Sequence, residues 1–272
     1  MTEYTLHLQK MKTGIDSKNN VCYQLHEINM NSVINKKIKL TFLNSINCVS
    51  CGRLTKKSFN QGYCFPCVRS LAECDICIVK PQLCHFHEGT CRDDNWGKAY
   101  CIKPHYIYLA NTANPKVGIT RDINIPSRWI DQGAVQALPI IKVNERLLSG
   151  LVEVRLANYL SDKTNWQEML KKKPEQIDLF LIKTQVLAKE RDFIELLQAK
   201  YGTHAIEIVD AKETILDYPV ITYPQKVIPH NLDKNPLVEG VLLGIKGQYI
   251  ILDTGVMNMR KFSGYRCKIS IR

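Results

Sequence analysis

The sequence predicts an α+β fold built from several modules, on three observations. Apolar and polar residues alternate near both ends, the mark of half-buried strands. Nine of the eleven cysteines fall within residues 46–103, a stretch with little periodicity. That suits a fold held by metal more than by an apolar core. Residues 146–202 place apolar side chains at helical spacing.

The elements follow in order. Residues 1–45 form an N-terminal β segment: Tyr4, Leu6 and Leu8 alternate, and Ile38, Leu40 and Phe42 repeat the pattern. Residues 46–103 are the Cys-rich module. Residues 104–173 open with a hairpin, in which Tyr106–Leu109 is one strand, Asn111 to Pro115 the turn and Val117–Ile119 the return. Residues 146–160 carry Leu148, Leu151, Val152 and Leu156, the face of a buried helix. Thr164-x-x-Gln167 reads as a capping box before a short helix, Asn165 to Lys173. In residues 174–235, Pro174 opens a longer helical stretch that runs with a break to Gly202, and proline-rich connection follows. Residues 236–272 read as a small β meander or barrel, with turns at Gly244–Gly247, Asp253–Gly255 and Ser263–Gly264. Trp96 and Trp166 read as core residues, as does Trp129 beside its alternative of stacking on a base.

Composition narrows the function classes. No run of 18 apolar residues is present, so no membrane-spanning helix is expected. The polar opening lacks the regions of a signal peptide, so a cytoplasmic, reducing setting is expected, where cysteines bind metal more often than they pair. The net charge is +11. Residues 1–150 hold 19 Lys/Arg against 11 Asp/Glu, so the excess lies in the half with the cysteines. Such a balance suits DNA, RNA or another polyanion.

Cys48-Val-Ser-Cys51 and Cys64-Phe-Pro-Cys67 are two CxxC pairs separated by twelve residues. Each CxxC turn offers two thiolates to one metal, and two turns close a tetrahedral shell with no open position, a structural zinc site. A second zinc is expected from Cys74, Cys77, Cys84 and Cys91, with His87 or Cys101 as substitutes. Cys22 and Cys267 stand alone and read as small buried side chains. Near the first site lie Arg53, Lys56 and Lys57 with Phe59 and Tyr63. Cations interleaved with aromatics contact phosphates and stack on bases; a solvated basic loop has the same composition.

The segment 105–133, HYIYLANTANPKVGITRDINIPSRWIDQG, resembles the GIY-YIG nuclease domain. Tyr108 matches the Tyr of the first motif, with Tyr106 two residues earlier on the same face. Lys116-Val117-Gly118-Ile119-Thr120 matches the second motif, Arg128 follows ten residues after Gly118, and Glu153 matches the metal-binding Glu. Two positions depart from the pattern: Lys116 stands where the second motif has Tyr, and Gln132 where His or Tyr is common. A glutamine serves neither as acid nor as base at neutral pH. The resemblance implies a hard cation, Mg²⁺ or Mn²⁺, held by Glu153. It further implies Arg128 on the phosphate, Tyr108 and Tyr106 at the attacking water, and Lys116 at a phosphate or as a base. Most of the chain also resembles an uncharacterised prokaryotic family, through stretches such as CGRLTKKSFNQGYCFPC and GIKGQYIILDTGVMNMRKFSGY; that likeness brings no activity with it.

The function expected is a zinc-containing nucleic-acid-binding protein using Arg53, Lys56, Lys57, Arg121 and Arg128, with metal-dependent endonuclease chemistry at Glu153. The alternatives are a non-catalytic binder of RNA, DNA or a ribonucleoprotein, and a zinc-stabilised protein-interaction scaffold.

Overall fold

The structure, a computed structural model, describes residues 2–272. It is a mixed α/β chain with three sheets. The alternating segments at the two ends meet in one of them. Thr2–His7 pairs antiparallel with Tyr265–Ile271, with Thr2 opposite Ile271. Tyr265–Ile271 in turn pairs with Lys37–Asn47, and Lys37–Asn47 with Leu237–Lys246. Tyr249–Leu252 and Gly255–Asn258 continue the order, and Leu54–Thr55 adds a seventh strand beside Lys37–Asn47. Ile38, Leu40, Val238, Leu242, Cys267 and Ile269 take the inward positions and are buried, as the two-residue period requires. A small sheet of Lys12–Ile15, Val21–Leu25 and Ile28–Asn29 lies on the same core. There Cys22 departs from expectation: Val21, Tyr23 and Leu25 take the buried face, so the alternation turns Cys22 outward, exposed.

The central sheet has the order Ile206–Ile208, Gln136–Val143, His105–Asn111, Pro115–Arg121, with Thr214–Ile215 also pairing onto Gln136–Val143. Its two faces serve two cores. Ile107, Leu109, Val117 and Ile119 pack against the helices Arg146–Leu156, Leu179–Lys189 and Arg191–Tyr201 through Leu148, Val152, Val186 and Ile194. Tyr108 and Ala110 join Trp129 and the core of the seven-stranded sheet. One face of the hairpin therefore carries Tyr106, Tyr108, Lys116, Gly118 and Thr120, with Tyr108 opposite Gly118 and Tyr106 opposite Thr120.

Two helix starts differ from the sequence reading. The short helix is Trp166–Lys171, capped by Asn165, whose side chain accepts from the Glu168 backbone N–H; Asn165 takes the role expected of Thr164. Pro174 opens no helix. Residues 172–178 are irregular, and the helix Leu179–Lys189 begins where the Asp178 carboxylate accepts from the Leu181 N–H at 2.9 Å. A side-chain cap is a stronger start signal than a permissive proline, because it satisfies an otherwise unpaired amide. The expected break falls at Glu190, a buried residue that holds Arg155 at 2.8 Å and the Tyr159 hydroxyl at 2.9 Å. No residue between 47 and 106 belongs to any of the apolar cores. Among the described residues no helix is long and apolar enough to cross a membrane.

Candidate functional site

The chemistry-bearing residues of the hairpin sit under one large cleft. Its volume is about 1170 Å³, and it opens between the central sheet, the Cys-rich segment and the seven-stranded sheet. Thr120 and Arg121 come from the hairpin, Arg128 from the helix Ser127–Asp131, Arg146 and Glu153 from Arg146–Leu156, and Arg260 from the seven-stranded sheet's last connection. Arg69 and Arg92 complete six arginines along its walls. Arg92 pairs with Asp75 at 2.5 Å. Among the described residues, Arg121, Arg128, Arg146 and Arg260 make no ion pair with a carboxylate. Guanidinium groups left without a carboxylate raise the local potential and favour a polyanion.

Beneath the arginines lies a buried polar cluster. Tyr108 is fully buried, and its hydroxyl donates to Gln132 Oε1 at 2.7 Å. Burial pushes this phenol up to about 12, against the pull of the nearby Arg128 charge. Gly118 makes this arrangement possible, since a Cβ there would lie 2.7 Å from the Tyr108 hydroxyl oxygen. Lys116 is 2% exposed and donates to the Asp162 carbonyl at 2.9 Å and Thr164 Oγ1 at 3.4 Å. Burial, with Arg128 nearby, pulls its ammonium down to about 8. Burial likewise pushes the Glu153 carboxyl up to about 7, against the pull of Lys116 and Arg128. Tyr106 is half-buried on the same face and does not line the cleft.

Arg92, Arg146, Arg260 and His105 were not singled out from the sequence. His105 is 1% exposed and lines the cleft. Its Nδ1 hydrogen-bonds the Lys103 carbonyl at 2.8 Å, and its Nε2 has no partner. Burial holds the ring neutral, down to about 4, so Nε2 presents a lone pair. Its position opening the first hairpin strand was the available signal. Arg53, Lys56 and Lys57 are exposed and lie outside the cleft; Lys57 sits over the Phe59 ring instead, 5.4 Å from its centroid. Trp96 is half-buried and faces the cleft, so it is no core residue. Trp129 is buried and Trp166 is stacked on Tyr249.

The cysteines divide into two groups. The ligand atoms of Cys48, Cys51, Cys64 and Cys67 all lie within 4.8 Å of one another, which is what one tetrahedral ion requires. Cys48 Sγ also accepts the Cys64 backbone N–H at 3.2 Å, the amide-to-sulfur bond of a knuckle. These residues fit zinc. Cys74, expected in a second site, lines the large cleft and not the small pocket that Cys77, Cys84 and Cys91 line. His87 is held by Glu145 at 2.6 Å.

A family model described as a protein of unknown function (DUF2797) matches residues 35–267. No curated protein and no solved structure matches the chain.

Proposed function

Because the chain belongs to the DUF2797 family, whose description assigns no activity, we propose a function from the cleft itself. The protein is a zinc-containing nucleic-acid-binding protein whose cleft takes a phosphodiester backbone, with the chemistry of a divalent-metal-dependent endonuclease. One observation carries this reading: Arg121, Arg128, Arg146 and Arg260, none paired with a carboxylate, line the same cleft as Glu153, and Arg128 and Arg146 act directly on that acid. The antiparallel hairpin with Tyr108 across from Gly118, and Glu153 on the next long helix, support the GIY-YIG likeness.

Each residue has a role that its surroundings allow. Arg128 and Arg146 neutralise charge that develops on the phosphate. Lys116, buried below the cleft and still largely protonated at neutral pH, places a fixed positive charge near Glu153. Tyr108 keeps its own proton and fixes Gln132. Glu153, with Asp162 near it, suits Mg²⁺ or Mn²⁺, which take their remaining oxygens from water and phosphate; bound at Glu153, the ion would supply Lewis-acid stabilisation.

A second reading rests on the Tyr108–Gln132 hydrogen bond. It commits the phenol as a donor to a side chain that cannot titrate, which favours a cleft kept for binding alone. Incubation of zinc-loaded protein with single- and double-stranded DNA and RNA, with Mg²⁺ or Mn²⁺, separates the two. Cleavage abolished by Glu153→Ala is the expected result. Salt-sensitive binding without cleavage would leave the binding reading standing, and neither binding nor cleavage would end both.

A further inference from the structure

The cysteines outside the first cluster do not scatter. Cys77, Cys84, Cys91 and Cys101 line one small pocket of about 10 Å³, walled by Phe86 and Trp96. That is room for one ion or one water. Cys77 lies within electrostatic reach of Cys84, Cys91 and Cys101, and Cys84 within reach of Cys101.

We propose that Cys77, Cys84, Cys91 and Cys101 are the four ligands of a second structural zinc, independent of Cys74 and of His87.

Three further observations agree. First, the segment from 72 to 88 is a string of three-residue 3-10 turns, Ala72–Cys74, Ile76–Ile78, Pro81–Leu83 and Phe86–Glu88. None of them contributes to an apolar core, so something other than apolar burial holds them. Second, a Zn²⁺ with four thiolates carries two net negative charges, and Arg146 lies within electrostatic reach of Cys77, Cys84 and Cys101. Its Nη2 donates to the Ile78 carbonyl at 2.7 Å and its Nε to the Cys77 carbonyl at 3.4 Å. Third, the neighbouring acid is already engaged: Asp75 accepts the Cys77 N–H at 3.3 Å and pairs with Arg92. His85, the imidazole at the pocket, is bonded to Thr90 through Nδ1 at 2.7 Å, which leaves its Nε2 free of that bond. Asp75, Cys77 and His85 do approach within 4.8 Å of one another, so His85 is the competitor that the test must separate.

The site also has a functional consequence. Arg146 reaches the cleft from the carbonyls of this loop, and Ile76, Ile78 and Val79 line the cleft wall. Gly150 lets the helix Arg146–Leu156 touch the backbone of Pro81 and Gln82 directly, since a Cβ there would collide with both. The second ion therefore fixes one wall of the phosphate cleft without taking part in it.

The test is metal stoichiometry by native mass spectrometry on the full chain purified without chelator. Two zinc ions per chain are expected; one would overturn the proposal. Cys101→Ser should lower the count to one, Cys74→Ser should keep two, and the reverse pattern would overturn the ligand set. His85→Ala should keep two; loss of an ion there would replace the four-thiolate site by three thiolates and an imidazole. Cys101→Ser could instead disrupt folding. Alkylation of the unaltered protein covers that case: Cys77, Cys84, Cys91 and Cys101 should resist iodoacetamide until a chelator is added, while Cys74 reacts at once. Early reaction of the four would count against the site. None of these readouts depends on nucleic-acid binding or cleavage.

Discussion

The seven-stranded sheet and the Cys-rich segment beside it are folded by different forces. The sheet buries Leu40, Leu242, Phe262 and Ile269 in a continuous apolar core. Residues 48–101 contribute nothing to that core or to the others, and they expose Val49, Leu54, Phe65, Ile76 and Val79. A stretch of that length without a core needs another source of free energy, and zinc held by Cys48, Cys51, Cys64 and Cys67 would supply it. The cleft lies between the two regimes, lined on one side by packed strands and on the other by loops that carry the cysteines. The difference teaches that the geometry of the site would depend on metal even where the metal takes no part in the chemistry.

The comparison is most open to attack through the metal. Chelation of zinc should raise amide exchange across residues 48–101 towards unfolded rates, because structural zinc contributes on the order of 10 kcal/mol to such modules. The strands His105–Asn111 and Lys37–Asn47 should keep their protection. If the sheets lost protection together with the cysteine segment, zinc would be folding the whole chain and the contrast would fail.

A smaller effect sharpens the same contrast. Leu109→Ala removes a side chain that is 0% exposed in the helix-facing core, and denaturant unfolding should show a loss of about 2–5 kcal/mol. Val79→Ala, at 69% exposed, should change stability by no more than about 0.5 kcal/mol. Similar losses at both positions would mean that the cysteine segment has a core of its own.

The smallest effect concerns a charge within the sheet. Lys246 is fully buried, donates to the Lys172 carbonyl at 3.1 Å, and faces the rings of Tyr218 and Tyr223 with Lys173 nearby. Burial pulls its ammonium down to about 7. Between pH 7 and the unfolded value the native state binds fewer protons than the unfolded one, so stability rises with pH across that window. Below pH 7 both states are charged and the full cost of burial remains. Lys246→Met should therefore raise the melting temperature most below pH 7, with the gain fading towards pH 10. A gain independent of pH would show that packing, not charge, governs the position.

How much of this was readable in advance follows from the range of each signal. The first zinc site is legible because CxxC is a local turn and two such turns close a shell. Tyr108 and Gly118 are legible because a hairpin fixes which residues face each other, and the structure places them opposite. The ligands after Cys74 are not legible from spacing, because each is separated by several residues of 3-10 turn and any of them could swing either way. Arg260 at the cleft was unreadable for a different reason: it arrives from the seven-stranded sheet, and the union of the two end segments is a contact across nearly the whole sequence. His105 was legible as a strand residue, but nothing in the sequence marks the free Nε2.

That union of distant strands has a temporal side. The strand Thr2–His7 leaves the ribosome more than 250 residues before its partner Tyr265–Ile271. Lys37–Asn47 waits for the same strand, as well as for Leu237–Lys246. At translation speeds of roughly 5–20 residues per second, the wait is on the order of ten seconds or more. Through that interval the early strands have open edges, which other nascent chains can pair with. The cysteine turns emerge in between and can take up metal as soon as their own few dozen residues are out. Assembly thus runs inward-out: the metal-held middle of the polypeptide matures first, and the ends close over it last.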